Sequence, residues 1–359
     1  MTGTLSIGST AAAFAQRRDA LVQIRARLEA ANGELSSGRR GDVHRALGAR
    51  ALEAHGLRGE AALAGAQSEG NAVLAVRLDA AAGALTGAAD AVGTFLALAV
   101  PNRNGPGPTV AALQEAARSA YDALAGRMNA SFGGARLFSG VDTDRAPLVA
   151  WDQAAAATGL SPRAVLEGIV GGGLADGADA AAKAAEVAAS FAGTNAAAPD
   201  RNFERSFYAG TPALDASGQP SERLRARIDG SAALPYGVQA NDPAFRSALQ
   251  GLAMIAAVDP GTMDADAYAA WVGAGIDAAA RGADGIREAQ ARLGGQQAVL
   301  AETIERQKVR GDLLAAQTAR LEGVDPYEAA SRVSMLSTQL EASFASTARL
   351  MRLSFLSYM

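Results

Sequence analysis

The sequence predicts a mainly α protein: a long antiparallel helical hairpin or bundle formed by both chain ends, with an inserted small α+β domain. Three observations carry this. Apolar residues recur at helical spacing near both ends, in stripes that only another apolar surface can cover. Alanine is abundant and aromatic residues make up only 5% of the chain, a composition suited to long, closely packed helices. Between residues 141 and 241 prolines, glycines and polar turns become common and the helical period breaks up.

The first helix starts after a polar, Gly/Ser-rich opening, Met1 to Thr10. Phe14, Leu21, Leu28 and Leu35 stand seven apart, with Ile24 and Ala31 between them. This is a heptad seam. It reads either as an amphipathic core helix or as one awaiting a coiled-coil partner. Gly38 is the expected stop. Asp42 to about Leu98 reads as Ala-rich helix in one or two pieces, with Leu52, Leu57, Leu63, Val73, Val76 and Leu85 as its larger apolar groups. The run Pro101 to Pro108 is a loop. Thr109 is placed to cap a second helix reaching about Ala130, which suggests an antiparallel hairpin.

Asn129 to Gly140 packs glycines and aromatics tightly and marks an exit from helix. Within 141–241, Pro162 to Ala192 reads as one or two short helices. Ser206-Phe207-Tyr208 and Leu224 to Ile228 read as short strands. Asp242-Pro243 has the form of a cap followed by a first-turn proline, opening a helix with Phe245, Leu249, Leu252 and Ile255 on its inner face. Asp264 to Ala280 is expected as one helix and about Asp284 to Leu321 as another, with Ile286, Leu293, Leu300, Leu314 and Leu321 on a seven-residue spacing and Gln307 at the gap. Gly323-Val324 breaks it.

The last helix is the most distinctive. Asp325 suits an N-cap, Pro326 the first helical position and Glu328 the return partner of a capping box. Val333, Leu336, Leu340, Phe344, Thr347, Met351, Phe355 and Tyr358 then follow in steps of three or four, and Leu350, Leu353 and Leu356 widen the stripe. So apolar an end calls for a partner, either the chain's own N-terminus or other subunits. The residues expected to carry that pairing are Phe14, Leu21, Ile24, Leu28, Leu35, Val333, Leu336, Leu340, Phe344, Leu350, Met351, Leu353, Phe355, Leu356 and Tyr358. The expected partition has terminal coiled-coil segments at 1–41 and 324–359. A helical body follows at 42–140 and 242–323, and the insertion at 141–241.

Several function classes fall away. The net charge of −4, without a compensating basic cluster, argues against nucleic acid. With no cysteine there is no disulfide, thiolate nucleophile or Cys-based metal site. His44 and His55 are the only histidines. On one helix they would stand ~16 Å apart, too far to share a metal, and their plain reading is as exposed helix residues. The glycines at 171–173 match neither a P-loop nor a dinucleotide fingerprint, and no Gly-x-Ser-x-Gly elbow occurs. No catalytic residue, cofactor site or metal site is expected, and the chain does not read as an enzyme. No uninterrupted apolar run reaches the ~20 residues of a membrane helix. Met1 to Ser9 lacks the basic and apolar regions of a cleaved signal peptide.

Some stretches carry a resemblance. Ser337 to Phe344, with Leu353-Ser354-Phe355-Leu356-Ser357-Tyr358-Met359, is similar to the C-terminal signature of the flagellin family. That ending is closer to the hook–filament junction proteins of the family than to filament flagellin. Leu35 to Arg40 resembles the turn after the family's first helix, and Asn129 to Gly140 the turn that closes its first helical block. The resemblance implies terminal helices paired as a coiled coil lining a tube and an inserted domain facing outwards. It implies export through the flagellar type III channel without a cleaved signal, to an extracellular flagellum. The implied partners are the chain's own subunits in a ring, a hook-associated protein on the hook side, flagellin or flagellin-like subunits on the filament side, and an export chaperone. No nucleic acid or membrane partner is implied. Filament flagellin is the alternative, and a membrane-active amphipathic helical protein the remote one. The Ala/Arg enrichment, and Arg349 and Arg352 near the apolar tip, depart from the family pattern.

Overall fold

The structure is a computed structural model that describes the backbone of residues 8–356 and the side chains of residues 15–349. The chain is mainly α, with long helices packed on one another. It divides into two compact units. One holds the residues up to Ala66 and those from Arg306 on; the other is Gln67–Glu305.

In the terminal unit, α1 (Gly8–Ser37) stops at Gly38, whose φ of +67° suits glycine and whose N–H reaches Glu34 O at 2.9 Å. A short α2 (Val43–Leu47) follows, N-capped by the Asp42 side chain, which accepts from Arg45 N–H at 2.9 Å. α3 (Ala51–Ala99) then begins. The stretch expected over 42–98 as one or two helices is thus divided, and Gly48, where φ is +55°, ends the first of them. On the returning side α9 (Ala265–Glu322) ends and α10 (Pro326–Leu356) begins. Asp325 caps α10 by accepting from Tyr327 N–H at 2.8 Å. Glu328 does not complete a capping box; it pairs with Arg332, one turn on, at 2.7 Å.

The other unit has a continuous core running from Leu74 to Leu300. α3 and α4 (Val110–Met128) form the expected hairpin. Thr109 does not cap α4 with its side chain. The buried Asn102 staples the turn instead, donating to Leu98 O at 2.9 Å and Thr109 Oγ1 at 2.6 Å, and accepting from Gly107 N–H at 2.9 Å. After α4, β1 (Ser131–Phe132) and β2 (Ala135–Arg136) pair antiparallel around Gly133-Gly134, both at positive φ, as a two-residue hairpin turn requires.

Segment 141–241 contributes α5 (Pro162–Val170), α6 (Gly177–Ala192), α7 (Phe203–Ser206) and the antiparallel pair β3 (Arg225–Arg227) and β4 (Ala233–Pro235). The strand expected at Ser206 to Tyr208 is instead the end of α7 followed by a single bridge from Tyr208 to Leu148. The run is aromatic for packing reasons. Phe207 lies 4.7 Å from Phe191 and stacks on Phe203 at 5.8 Å between ring centres, and all three are buried. α8 (Pro243–Ala257) is not capped by the Asp242 carboxylate, which accepts from Gln239 N–H and pairs with Arg223.

The two helices expected at 264–280 and 284–321 are one, α9. No proline interrupts Arg281 to Asp284, and Asp284 bonds Arg287 instead of capping a new helix. Gly282 stays within the helix, where its lack of a side chain lets α8 pack directly against it. Ile286, Leu293, Leu300, Gln307 and Leu314 are all buried, so the seven-residue spacing is the helix's inward face.

Candidate assembly interface

The chain ends meet. α1 and α10 pack together, and Glu34 near the end of α1 receives Arg332 near the start of α10 at 3.0 Å, so the helices run antiparallel. Their junction is tied by backbone bonds: Arg40 N–H to Glu322 O at 2.9 Å and Val324 N–H to Gly38 O at 3.1 Å, with an antiparallel bridge between Arg39 and Gly323. The Glu34 carboxylate also takes Gly41 N–H at 3.0 Å, which fixes the chain as it leaves α1.

The residues expected to form the seam separate into three groups. Leu336 is buried, as are Ala31 of α1 and Ala329 of α10. Leu21, Ile24, Leu28, Val333 and Leu340 are half-buried. Leu35 and Phe344 are exposed, Phe344 to 57%. Phe14, Leu350, Met351, Leu353, Phe355, Leu356 and Tyr358 lie outside the residues whose side chains are described.

The pairing therefore leaves much apolar surface uncovered, and sequence patterning missed part of it. Val22 on α1, Tyr327 and Met335 on α10, Leu52 and Leu63 on α3, and Val309 and Leu313 on α9 are all exposed, Tyr327 to 88% and Leu52 to 79%. Leu52 and Leu63 stand eleven residues apart, about three turns, and so share a face; that spacing was the signal available. Among the described residues, the buried apolar side chains of this unit are mostly alanines, namely Ala31, Ala51, Ala54, Ala64 and Ala329, with Leu314 and Leu336 the larger ones; Gln307, Thr318 and Glu322 are buried beside them. Fully burying a Leu, Val or Phe is worth roughly 1.5–3 kcal/mol. A face of this kind thus has further stabilisation to gain from association. Charge adds little: the Arg25–Glu29 pair on α1 is exposed at both ends. Among the described residues no group of three or more His, Asp or Glu is arranged to hold a metal ion.

Two family models match the chain. The bacterial flagellin N-terminal helical region matches residues 9–143, and the bacterial flagellin C-terminal helical region matches residues 276–359. No curated protein matches it.

Proposed function

The chain belongs to the flagellin superfamily and is a structural subunit of the bacterial flagellum, and we propose that within it the chain is the hook–filament junction subunit, of the kind called hook-associated protein 3. The superfamily is structural and non-enzymatic, and its members assemble with other flagellar subunits outside the cell. The finer reading rests above all on one observation, the Leu353-Ser354-Phe355-Leu356-Ser357-Tyr358-Met359 ending, which is closer to junction proteins than to filament flagellin. The turn from Phe132 to Gly140 leans the same way. The uncovered apolar residues of α1 and α10 support assembly through the terminal helices, because a second copy is the nearest source of surface to cover them.

In this reading the subunit leaves through the type III channel with an uncleaved N-terminus, its C-terminal region held by an export chaperone beforehand. It then closes a ring with its own copies between a hook-associated protein on one side and flagellin on the other. Deleting Leu350 to Met359 leaves a soluble protein that no longer joins the axis.

The test is a strain lacking this gene, studied by electron microscopy of its flagella and a blot of the medium for flagellin. Bare hooks with flagellin shed as monomer support the junction. Bare hooks with no flagellin in the medium make this chain the filament subunit. The membrane reading has one observation in its favour: the stretch Val43–Asn102 contains an 18-residue window of mean hydropathy 1.5, one third of it buried. Core helices of this composition meet the same description, and flotation with liposomes separates the two.

A further inference from the structure

The junction between α1, α2, α3 and the end of α9 holds an unusual carboxylate. Glu322 is the last residue of α9, and its side chain is 1% exposed. One oxygen is bound by the Arg58 guanidinium; the other, Oε1, is buried without a hydrogen-bond partner. A buried carboxylate oxygen left unbonded is costly. Glu322 also lines a cavity of about 280 Å³ whose walls include Asp42, His44, His55 and Arg58. The chain has only two histidines, and both line this one cavity. The break at Gly48 brings this about, because His44 sits on α2 and His55 on α3 instead of along one helix.

The charges are uneven. With neutral imidazoles the lining carries two carboxylates, Asp42 and Glu322, against one cation, Arg58. Around it, Arg39 and Arg40 come from the loop after α1, with exposed side chains, and Arg45 from α2. Glu34 of α1 is already engaged by Gly41 N–H and by Arg332 of α10, and Arg50 is paired with Glu53. None of these is placed by a hydrogen bond on Glu322 Oε1.

We propose that this cavity is a proton-operated clasp. An imidazole of His55 or His44 takes a proton from solvent, its N–H donates to Glu322 Oε1, and the cavity's surplus negative charge is neutralised. The clasp tightens the place where Arg40 N–H meets Glu322 O and Val324 N–H meets Gly38 O. The clasped form then binds one proton more than the open form. Its stability therefore rises as pH falls through the range in which imidazole ordinarily titrates, about pH 5 to 8. Arg58, and the exposed and solvent-screened Arg39, Arg40 and Arg45 around it, oppose this by repelling the imidazolium, while the direct N–H bond to the unpartnered Glu322 Oε1 favours it.

The experiment is hydrogen exchange by mass spectrometry on the full chain at about pH 7.5 and about pH 5.5, either side of the ordinary imidazole value, with rates corrected for intrinsic exchange. It follows peptides covering Gly38–Asp42 and Glu322–Pro326. In the wild type, protection of both peptides should rise roughly three- to ten-fold on acidification. In the double variant His44→Gln, His55→Gln it should stay level, and the single variants show which imidazole acts. Glu322→Gln should also be level. If that variant fails to fold, the histidine variants alone decide. The peptide covering Val110–Met128 should not respond in any variant. No protection at either pH, no change in the wild type, or the same rise in the double variant overturns the clasp.

Discussion

Replacing Gly282 with alanine should destabilise the unit Gln67–Glu305, although the same change at Gly294, also on α9, should stabilise it. A Cβ at Gly282 would stand 2.3 Å from Ala248 N, 2.5 Å from its Cα and 2.6 Å from its Cβ. Ordinary contact begins at 3.4 Å, so α8 and α9 must part by about 1 Å. The obstacle is backbone, and no rotamer relieves it. Overpacking of this kind costs about 3 kcal/mol. Alanine recovers about 1 kcal/mol of helix propensity, which leaves a net loss of about 2 kcal/mol. In a unit of this size that lowers the midpoint by roughly 4–8 °C. Gly294, on the same helix, is exposed, and a methyl group added there would meet nothing within 4 Å. Gly294→Ala should gain about 1 kcal/mol and raise the midpoint by roughly 2–4 °C. Thermal melts followed by far-ultraviolet circular dichroism compare the two directly. A Gly282→Ala protein as stable as the wild type, or equal losses at both sites, would refute the claim that α8 and α9 are packed backbone to backbone.

Three further outcomes follow from other parts of the chain. Leu21→Asp with Leu28→Asp should abolish assembly, read by sedimentation and electron microscopy, while the helical signal of α4 and its neighbours persists; loss of the whole helical signal contradicts this. Asn102→Ala removes three hydrogen bonds that the buried Asn102 side chain makes across the α3–α4 turn and should cost about 2 kcal/mol in urea unfolding, whereas a change under about 0.5 kcal/mol makes the staple dispensable. Burial, with Asp122 adding to it, holds the Tyr121 phenol well above its ordinary range, and burial does the same for Tyr208, with Glu204 contributing. A proton held more tightly in the folded state gives stability that is complete below the unfolded value of about 10 and lost above it. Unfolding should thus become easier from about pH 10 upward, and less steeply so in Tyr121→Phe, whose lost bond to Val149 O is a long 3.4 Å.

The terminal helices were legible because their pattern is local. The seven-residue steps from Ile286 to Leu314 lie on the buried face of α9, with Leu321 half-buried; on α10 Leu336 is buried, Val333 and Leu340 are half-buried and Phe344 is exposed. What failed depended on contacts that no window contains. Arg281 to Asp284 looked like a boundary because glycine and aspartate often make one, but Gly282 is there to let Ala248 approach. Ser206 to Tyr208 looked like a strand because aromatic residues favour strands. Phe207 is aromatic because Phe191 and Phe203 surround it. Thr109 and Asp242 had the right chemistry for caps, yet Asn102 and Arg223 engage them. A helical rise would separate His44 from His55 only if one helix carried both, and the turn at Gly48 puts them on two.

The same contrast separates the two units. Gln67–Glu305 buries Trp151, Trp271, Tyr121, Tyr268 and its phenylalanines apart from the half-buried Phe132, and Trp271 Nε1 donates to Met254 O at 2.8 Å, so its largest side chains lie mostly inside although Val73, Val76 and Leu214 are exposed. The terminal unit does the reverse. It buries alanines and exposes Leu52, Leu63, Val309, Leu313, Tyr327, Met335 and Phe344. Alanine contributes little hydrophobic free energy, so a helix pair closed mainly on alanine is marginal by itself. Such a unit forms readily when neighbours supply the missing surface and loosens when they do not. A subunit that assembles with others of the flagellum needs that property at its ends and a self-sufficient fold between them. The division of large and small side chains between the two units supplies both.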